Sequence, residues 1–209
     1  MRAIVRTRYG SADVLQLRQV PKTTPREHEV QVRIHATSVN ATDLENMRGV
    51  LMVRIGALLR SKYGILGADV AGRIEAVGRR VTQYRPGDSV FGDLSPLRCS
   101  FGAFAEYVCA PEDALTPKPA GLTFEEAAAA TSTAVLALQA LRHKREIQPG
   151  QKVLINGAGG SVGTFAVQIA KSYGAEVTGV DAATKLDLLR TIGANRLINY
   201  AREDFTRSG

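Results

Sequence analysis

Tryptophan is missing from these 209 residues, and cysteine and histidine are scarce: Cys99 and Cys109, then His28, His35 and His143. Two cysteines exclude a disulfide scaffold and any all-cysteine structural zinc site. The histidines show no ligand spacing. No stretch approaches the roughly 18 unbroken apolar residues that a membrane-spanning helix needs. The start, Met1-Arg2-Ala3-Ile4-Val5-Arg6, lacks the apolar core of a signal peptide and alternates like a strand, so the cytoplasm is the expected location. Long tracts of one charge are lacking too. Lys and Arg number 27 against 20 Asp and Glu, a net charge of +7 and a pI near 9.7, yet the arginines are scattered. The group Arg142-His143-Lys144-Arg145 reads as the basic end of a helix. With no nucleic-acid-binding motif on view, neither nucleic acid nor a membrane is an expected partner. What is left, 44 % hydrophobic and 22 % charged, is an ordinary globular composition. The length allows one large domain or two small ones.

Up to about residue 120 the pattern is β-rich. Alternating runs at Ala3 to Arg6, Glu29 to Ile34, Val70 to Val77 and Ala105 to Val108 are separated by turn signals such as Arg85-Pro86-Gly87-Asp88. Short strands at such spacing predict a barrel or sandwich. Asn46 to Lys62 interrupts them with apolar residues at helical spacing (Leu51, Met52, Ile55, Leu58, Leu59), which predicts a helix. A boundary is expected at Pro117-Lys118-Pro119-Ala120-Gly121, dividing the chain into 1–121 and 122–209. Thr123 and Glu126 then form a capping box for a long Ala/Leu-rich helix. Beyond Pro149-Gly150 the period switches: strand Lys152 to Asn156, helix Val162 to Tyr173, strand Glu176 to Asp181, helix Lys185 to Ile192, strand Arg196 to Tyr200. This β-α-β-α-β order is half of a doubly wound parallel sheet.

The segment Asn156-Gly157-Ala158-Gly159-Gly160-Ser161-Val162-Gly163 sits between the first of these strands and its helix. Residues without Cβ let the chain turn tightly and let a diphosphate approach the backbone, while free N–H groups and the helix dipole favour its charge. This predicts a dinucleotide site. Asp181 closes the second strand 18 residues past Gly163, where an acid bonds the adenosine ribose hydroxyls and repels a 2′-phosphate. Lys185 and Tyr200 point the other way, since either can reach a 2′-phosphate. The residues therefore predict NAD(P)H and leave NADPH against NADH open.

Several further stretches occur in a telling order: Asn40-Ala41-Thr42-Asp43-Leu44, Ile65-Leu66-Gly67-Ala68-Asp69-Val70-Ala71-Gly72, Tyr84-Arg85-Pro86-Gly87-Asp88-Ser89-Val90-Phe91-Gly92 and Gly102-Ala103-Phe104-Ala105-Glu106-Tyr107-Val108. With the glycine segment they make the chain resemble the medium-chain dehydrogenase/reductase superfamily, in its zinc-free quinone oxidoreductase-like branch. The resemblance implies an α/β protein: an N-terminal GroES-like β-barrel domain followed by a Rossmann domain, here incomplete. It implies hydride transfer from NAD(P)H to a quinone or an α,β-unsaturated carbonyl. In the zinc-dependent branch a cysteine stands at the position of Asn40 and a His-Glu pair at Ala68-Asp69, so no metal is expected. The resemblance makes Asn40 an active-site amide for the nicotinamide ribose or the substrate carbonyl. Asp43 and Tyr63 join it as candidate catalytic groups, Tyr63 as a proton donor, while Asp69 holds the loop. A threonine that the family places against the nicotinamide falls at Ala137 by register, with Thr133 one turn earlier as its stand-in. The full-length form is expected to be a homodimer and this chain a fragment, its first Rossmann strand at an open edge. The alternative is a non-catalytic remnant that binds a dinucleotide or a partner.

Overall fold

A computed structural model describes residues 1–50, 64–95, 102–142 and 146–207. The chain divides into two compact units, Met1–Thr131 and Ser132–Gly209.

In the first unit, strands β1 (Arg2–Arg6) and β2 (Leu15–Gln19) form an antiparallel ribbon. Five further strands make an antiparallel sheet: β3 (Glu29–Ala36), β4 (Asp69–Val77), β5 (Ser89–Asp93), β6 (Tyr107–Pro111) and β7 (Leu115–Pro117), in the order β6-β3-β4-β5-β7. The alternation of β3 holds only in its second half, since Gln31 is buried between the two valines, its Nε2 donating to the Thr23 carbonyl. Val30 and Val32 are fully buried with Val70, Ile74, Val90 and Leu94, while Arg33 and His35 face outward. Burying each such aliphatic side chain contributes about 1.5–3 kcal/mol.

A helix that the apolar spacing does not mark precedes the one expected over 46–62. Helix α1 spans Ala41–Arg48, begins at Asn40 and ends at Gly49, whose φ of 69° is the left-handed conformation that stops a helix. The apolar residues that carry the expected helix, Leu51 to Leu59, lie outside the described residues.

Helix α2 (Phe124–Arg142) opens with the expected capping box: the Glu126 N–H donates to Thr123 Oγ1 (3.1 Å) and the Thr123 N–H to Glu126 Oε2 (2.8 Å). The division between compact units falls inside this helix, whose Ala127 and Ala128 pack with Ala36, Ala71 and Phe91 of the antiparallel sheet. Pro117 ends β7, and 118–123 lead into the helix.

The second unit holds β8 (Lys152–Asn156), α3 (Ser161–Ser172), β9 (Glu176–Asp181), α4 (Leu186–Thr191) and β10 (Arg196–Asn199). The strands are parallel, in the order β10-β9-β8. Buried Gly163, Ala166, Val167 and Ala170 recur on α3 at helical spacing, and α3 packs with Leu189 of α4 over Val153, Ile155 and Val177. Tyr200 stands one residue beyond the third strand instead of ending it, and is 57 % exposed.

Among the described residues β8 pairs with β9 alone, so one row of its N–H and C=O groups is open, and Leu154 on its uncovered face is 48 % exposed. An open strand carrying an exposed leucine templates association with other chains. Leu154→Lys should lower concentration-dependent self-association in analytical ultracentrifugation while changing stability by no more than about 0.5 kcal/mol; equal association by both proteins would show that this edge is not the contact.

Candidate functional site

The turn from β8 into α3 is built from its glycines. Gly157 adopts φ 73°, and its N–H and that of Ala158 both donate to the Val180 carbonyl, at 3.0 and 3.1 Å. The Gly160 N–H returns to the Gly157 carbonyl (3.0 Å), and the Thr164 N–H takes the Gly160 carbonyl (2.9 Å). Gly163 lies so close beneath this turn that a Cβ there would stand 2.3 Å from the Gly157 oxygen and 2.6 Å from that of Ala158. Ala158 is fully buried, whereas Asn156, Gly157, Ser161 and Val162 are exposed. Among the described residues nothing accepts the N–H groups of Ser161, Val162 and Gly163. Three unspent donors and a helix dipole thus converge at the start of a 12-residue helix, beside backbone with no Cβ at Gly159 or Gly160. These residues fit a dinucleotide's diphosphate.

Asp181, at the end of β9, is turned into this turn. Its Oδ2 accepts the Gly159 N–H and its Oδ1 the Ala182 N–H, both at 2.7 Å, and its side chain is only 8 % exposed. Lys185 lies across the same spot. A Cβ on Gly159 would meet Lys185 Cβ at 2.8 Å, and Lys185 Nζ is 3.8 Å from Asp181 Oδ1. The lysine side chain is 47 % exposed, so the charge offered to solvent here is positive, with the carboxylate beneath it.

In the first unit, Asn40 occupies the N-cap of α1 and is half-buried. Its backbone N–H donates to Asp43 Oδ2 (2.9 Å), and Asp43 Oδ1 accepts the Gly67 N–H (3.1 Å). Asp43 is 2 % exposed. Burial pushes its carboxyl above the ordinary carboxylate range; N–H groups from Asn40, Gly67 and Ala68 pull it back, and the Asp69 charge adds to the rise. The Asn40 Nδ2 donates to Asp69 Oδ2 (2.7 Å) and to Ser38 Oγ (2.8 Å), and Ser38 Oγ itself donates to Asp69 Oδ2. Thr37 Oγ1 donates to the Asp69 carbonyl (2.6 Å). Asp69 is wholly buried at the start of β4, where it ties that strand to the residues preceding α1.

The structure brings Asn40, Asp43 and Asp69 together with Ser38 and the Gly67 N–H. A serine before Asn40 carries no signal in the sequence; only the folded turn shows it. Ala68 is buried beside Asp69. Thr133 is buried on α2, as is Ala137 one turn later, and Tyr63 lies outside the described residues. Among the described residues no three His, Cys, Asp or Glu side chains converge as a metal site.

Comparison with known proteins follows the same division. Residues 26–120 match the family model for the alcohol dehydrogenase GroES-like domain, and residues 161–208 that for zinc-binding dehydrogenases. The chain is 34 % identical to 2-methylene-furan-3-one reductase of Solanum lycopersicum, over 98 % of its own length and 53 % of the relative's. It is also 34 % identical to a quinone oxidoreductase of Pseudomonas aeruginosa, over 95 % of the chain and 58 % of the relative. The chain thus spans little more than half the length of these curated relatives. Among solved structures, Escherichia coli quinone oxidoreductase in complex with NADPH superposes with a TM-score of 0.86 at 29 % identity, covering 100 % of this chain and 61 % of that one. Because the two family models fall in order on the antiparallel sheet and the parallel unit, and these relatives run through both, the chain belongs to the medium-chain dehydrogenase/reductase superfamily, among its quinone oxidoreductase-like members.

Proposed function

We propose that this chain belongs to an oxidoreductase that reduces quinones or α,β-unsaturated carbonyls with NADPH, without a metal. The observation that carries this reading is the triad of unspent N–H groups at Ser161, Val162 and Gly163, held open by the contact of Gly163 with the Gly157 and Ala158 carbonyls. The nicotinamide supplies a hydride when bound. The protein's own part is to hold and orient: Asn156 to Gly163 take the diphosphate, while Asp181, Lys185 and Tyr200 face the adenosine end. Two of the relatives are named for quinone and enone-type substrates, which supports the substrate class.

The preference for NADPH is argued from Asp181 and Lys185. An acid that selects NADH must present its carboxylate to the ribose. Here both oxygens hold backbone N–H groups, and a half-exposed ammonium lies over them. The absence of metal chemistry is argued from the residues at the positions that bear zinc ligands elsewhere in the superfamily. Ala68 offers only a methyl group, and the Asn40 amide donates to Asp69 instead of presenting a lone pair from nitrogen.

Isothermal titration should show NADPH binding, and NADPH should be consumed with 1,2-naphthoquinone or an enone at a rate unaffected by 1,10-phenanthroline. Binding without consumption would leave a dinucleotide-binding protein, and loss of turnover on chelation would refute the metal-free reading. Gly160→Asp sets a carboxylate before the free donors, and its Cβ, 3.3 Å from the Gly157 oxygen, asks the turn to give by only a few tenths of an ångström. It should keep the circular dichroism spectrum and weaken NADPH binding at least about tenfold, a cost near 1.4 kcal/mol. Unchanged affinity would misplace the site. Lys185→Ala should raise the Kd for NADPH several-fold more than that for NADH, whereas Asp181→Ala should weaken both alike by releasing Gly159. A selective loss of NADH in Asp181→Ala would reverse the assignment.

A further inference from the structure

We propose that a cleft on the outer face of the antiparallel sheet binds a small organic phosphate, its charged group on Arg73 and Lys118 and its body against Phe124. The cleft has a volume of about 480 Å³, within the range of small-molecule sites (roughly 300–1,000 Å³). Arg73 of β4, Ser89 at the start of β5 and Lys118 just past β7 line it, with Leu122, Phe124 and Glu125 from the entry to α2. All of them belong to the first unit, and none takes part in the glycine turn or in the hydrogen bonds around Asn40.

Sheet register sets the cations beside one another. Arg33 and Arg73 are direct partners across β3 and β4, and Arg73 is in turn the partner of Ser89 across β4 and β5. On its other side Arg33 faces Tyr107, whose ring already carries the Lys22 ammonium at 3.8 Å. Like charges set directly opposite on a sheet repel, and no acid relieves them. Among the described residues Arg33, Arg73 and Lys118 enter no ion pair. The acids nearest in sequence are engaged elsewhere, Glu75 with Lys22 (3.2 Å) and Asp88 with the Arg85 N–H (2.9 Å).

The two cations of the cleft also keep hydrogens to give. Lys118 Nζ donates to the carbonyls of Pro119 (2.9 Å) and Leu122, which fix the ammonium and leave its third hydrogen. Arg73 spends one N–H, on the Gly87 carbonyl at 3.3 Å, and keeps the rest of its fork. Phe124 gathers both: its ring centroid is 5.8 Å from the Arg73 guanidinium carbon and 5.2 Å from Lys118 Nζ. The ring is itself held by stacking on His35 of β3, with centroids 4.3 Å apart. A planar fork and a point charge side by side match a phosphate. The rings and methyl groups of Phe124 and Leu122 offer apolar surface to what the phosphate is attached to. Glu125 is the one acid that lines the cleft, so the cations outnumber it.

Phenyl phosphate is the probe, followed on the whole chain by 15N NMR, because the resonances that move say where it binds. The Arg73 side-chain Nε–H and the backbone amides of Ser89 and Lys118 should shift, with a Kd at least about threefold below that of inorganic phosphate for the added apolar contact. Arg73→Gln and Lys118→Gln should each weaken phenyl phosphate about tenfold and keep the circular dichroism spectrum, while Glu125→Gln should tighten it. Unchanged affinity in both cation variants overturns the proposal. So do shifts confined to Ser161, Val162 and Gly163, which would place the probe in the dinucleotide site alone. Inorganic phosphate binding as tightly as phenyl phosphate overturns the organic body, and benzoate binding as tightly overturns the phosphate. A response to vesicles containing phosphatidic acid without one to phenyl phosphate would make this face a membrane contact and overturn the small-molecule site.

Discussion

The approach of α3 to the end of β8 sets what the second unit can hold. Helix and strand meet backbone to backbone at Gly163, with no side chain between them, and the turn above is drawn tight by two N–H groups sharing the Val180 carbonyl. A Cβ at this point would push the helix start away from the turn and splay the donors of its first residues. Close packing and ligand affinity are therefore one constraint here, because the contact that joins helix to sheet also aims the helix's unspent N–H groups at a shared point.

The first unit meets a comparable problem by other means. Its residues of interest lie on turns leading into α1 and β4, where no sheet ladder fixes them. Carboxylates do so instead. Asp43 bridges the start of α1 to Gly67, and Asp69 gathers the side chains of Ser38 and Asn40. Each charge is buried, which is costly unless it is hydrogen-bonded. Each is bonded at more than one point, so the cost is converted into rigidity of the turn.

Much of this was legible from residue order. Strands β8 and β9 run from Lys152 to Asn156 and from Glu176 to Asp181 as alternation and flanking glycines predict, because local period and tertiary burial agree there. The capping box at Thr123 and Glu126 was equally local. What sequence order could not show is which atoms of a side chain face which neighbour. Asp181 reads as a ribose ligand by spacing, yet its oxygens are drawn to Gly159 and Ala182, 22 residues and one residue away in sequence. Asn40 reads as an amide of either polarity until Asp69, 29 residues on, fixes it. Helix α1 is not marked by apolar spacing, because its start is set by Asn40 and Asp43, polar groups that hydrophobic periodicity does not register.

The distribution of charge ties these strands together. The chain carries a net +7, but among the described residues no Lys or Arg is buried. Every charged side chain buried among the described residues is an aspartate: Asp43, Asp69 and Asp181. A basic protein that hides only acids is not using them to balance its charge. All three sit where a strand meets a turn or helix, and two of them, Asp43 and Asp181, accept the backbone N–H of a glycine in the proposed site. Apolar residues of similar volume would pack such positions at less cost. Only an acceptor, however, can hold a glycine-rich turn, which has no side chain of its own to anchor. At Gly159, where the backbone is left bare for a ligand to approach, Asp181 steadies it from behind.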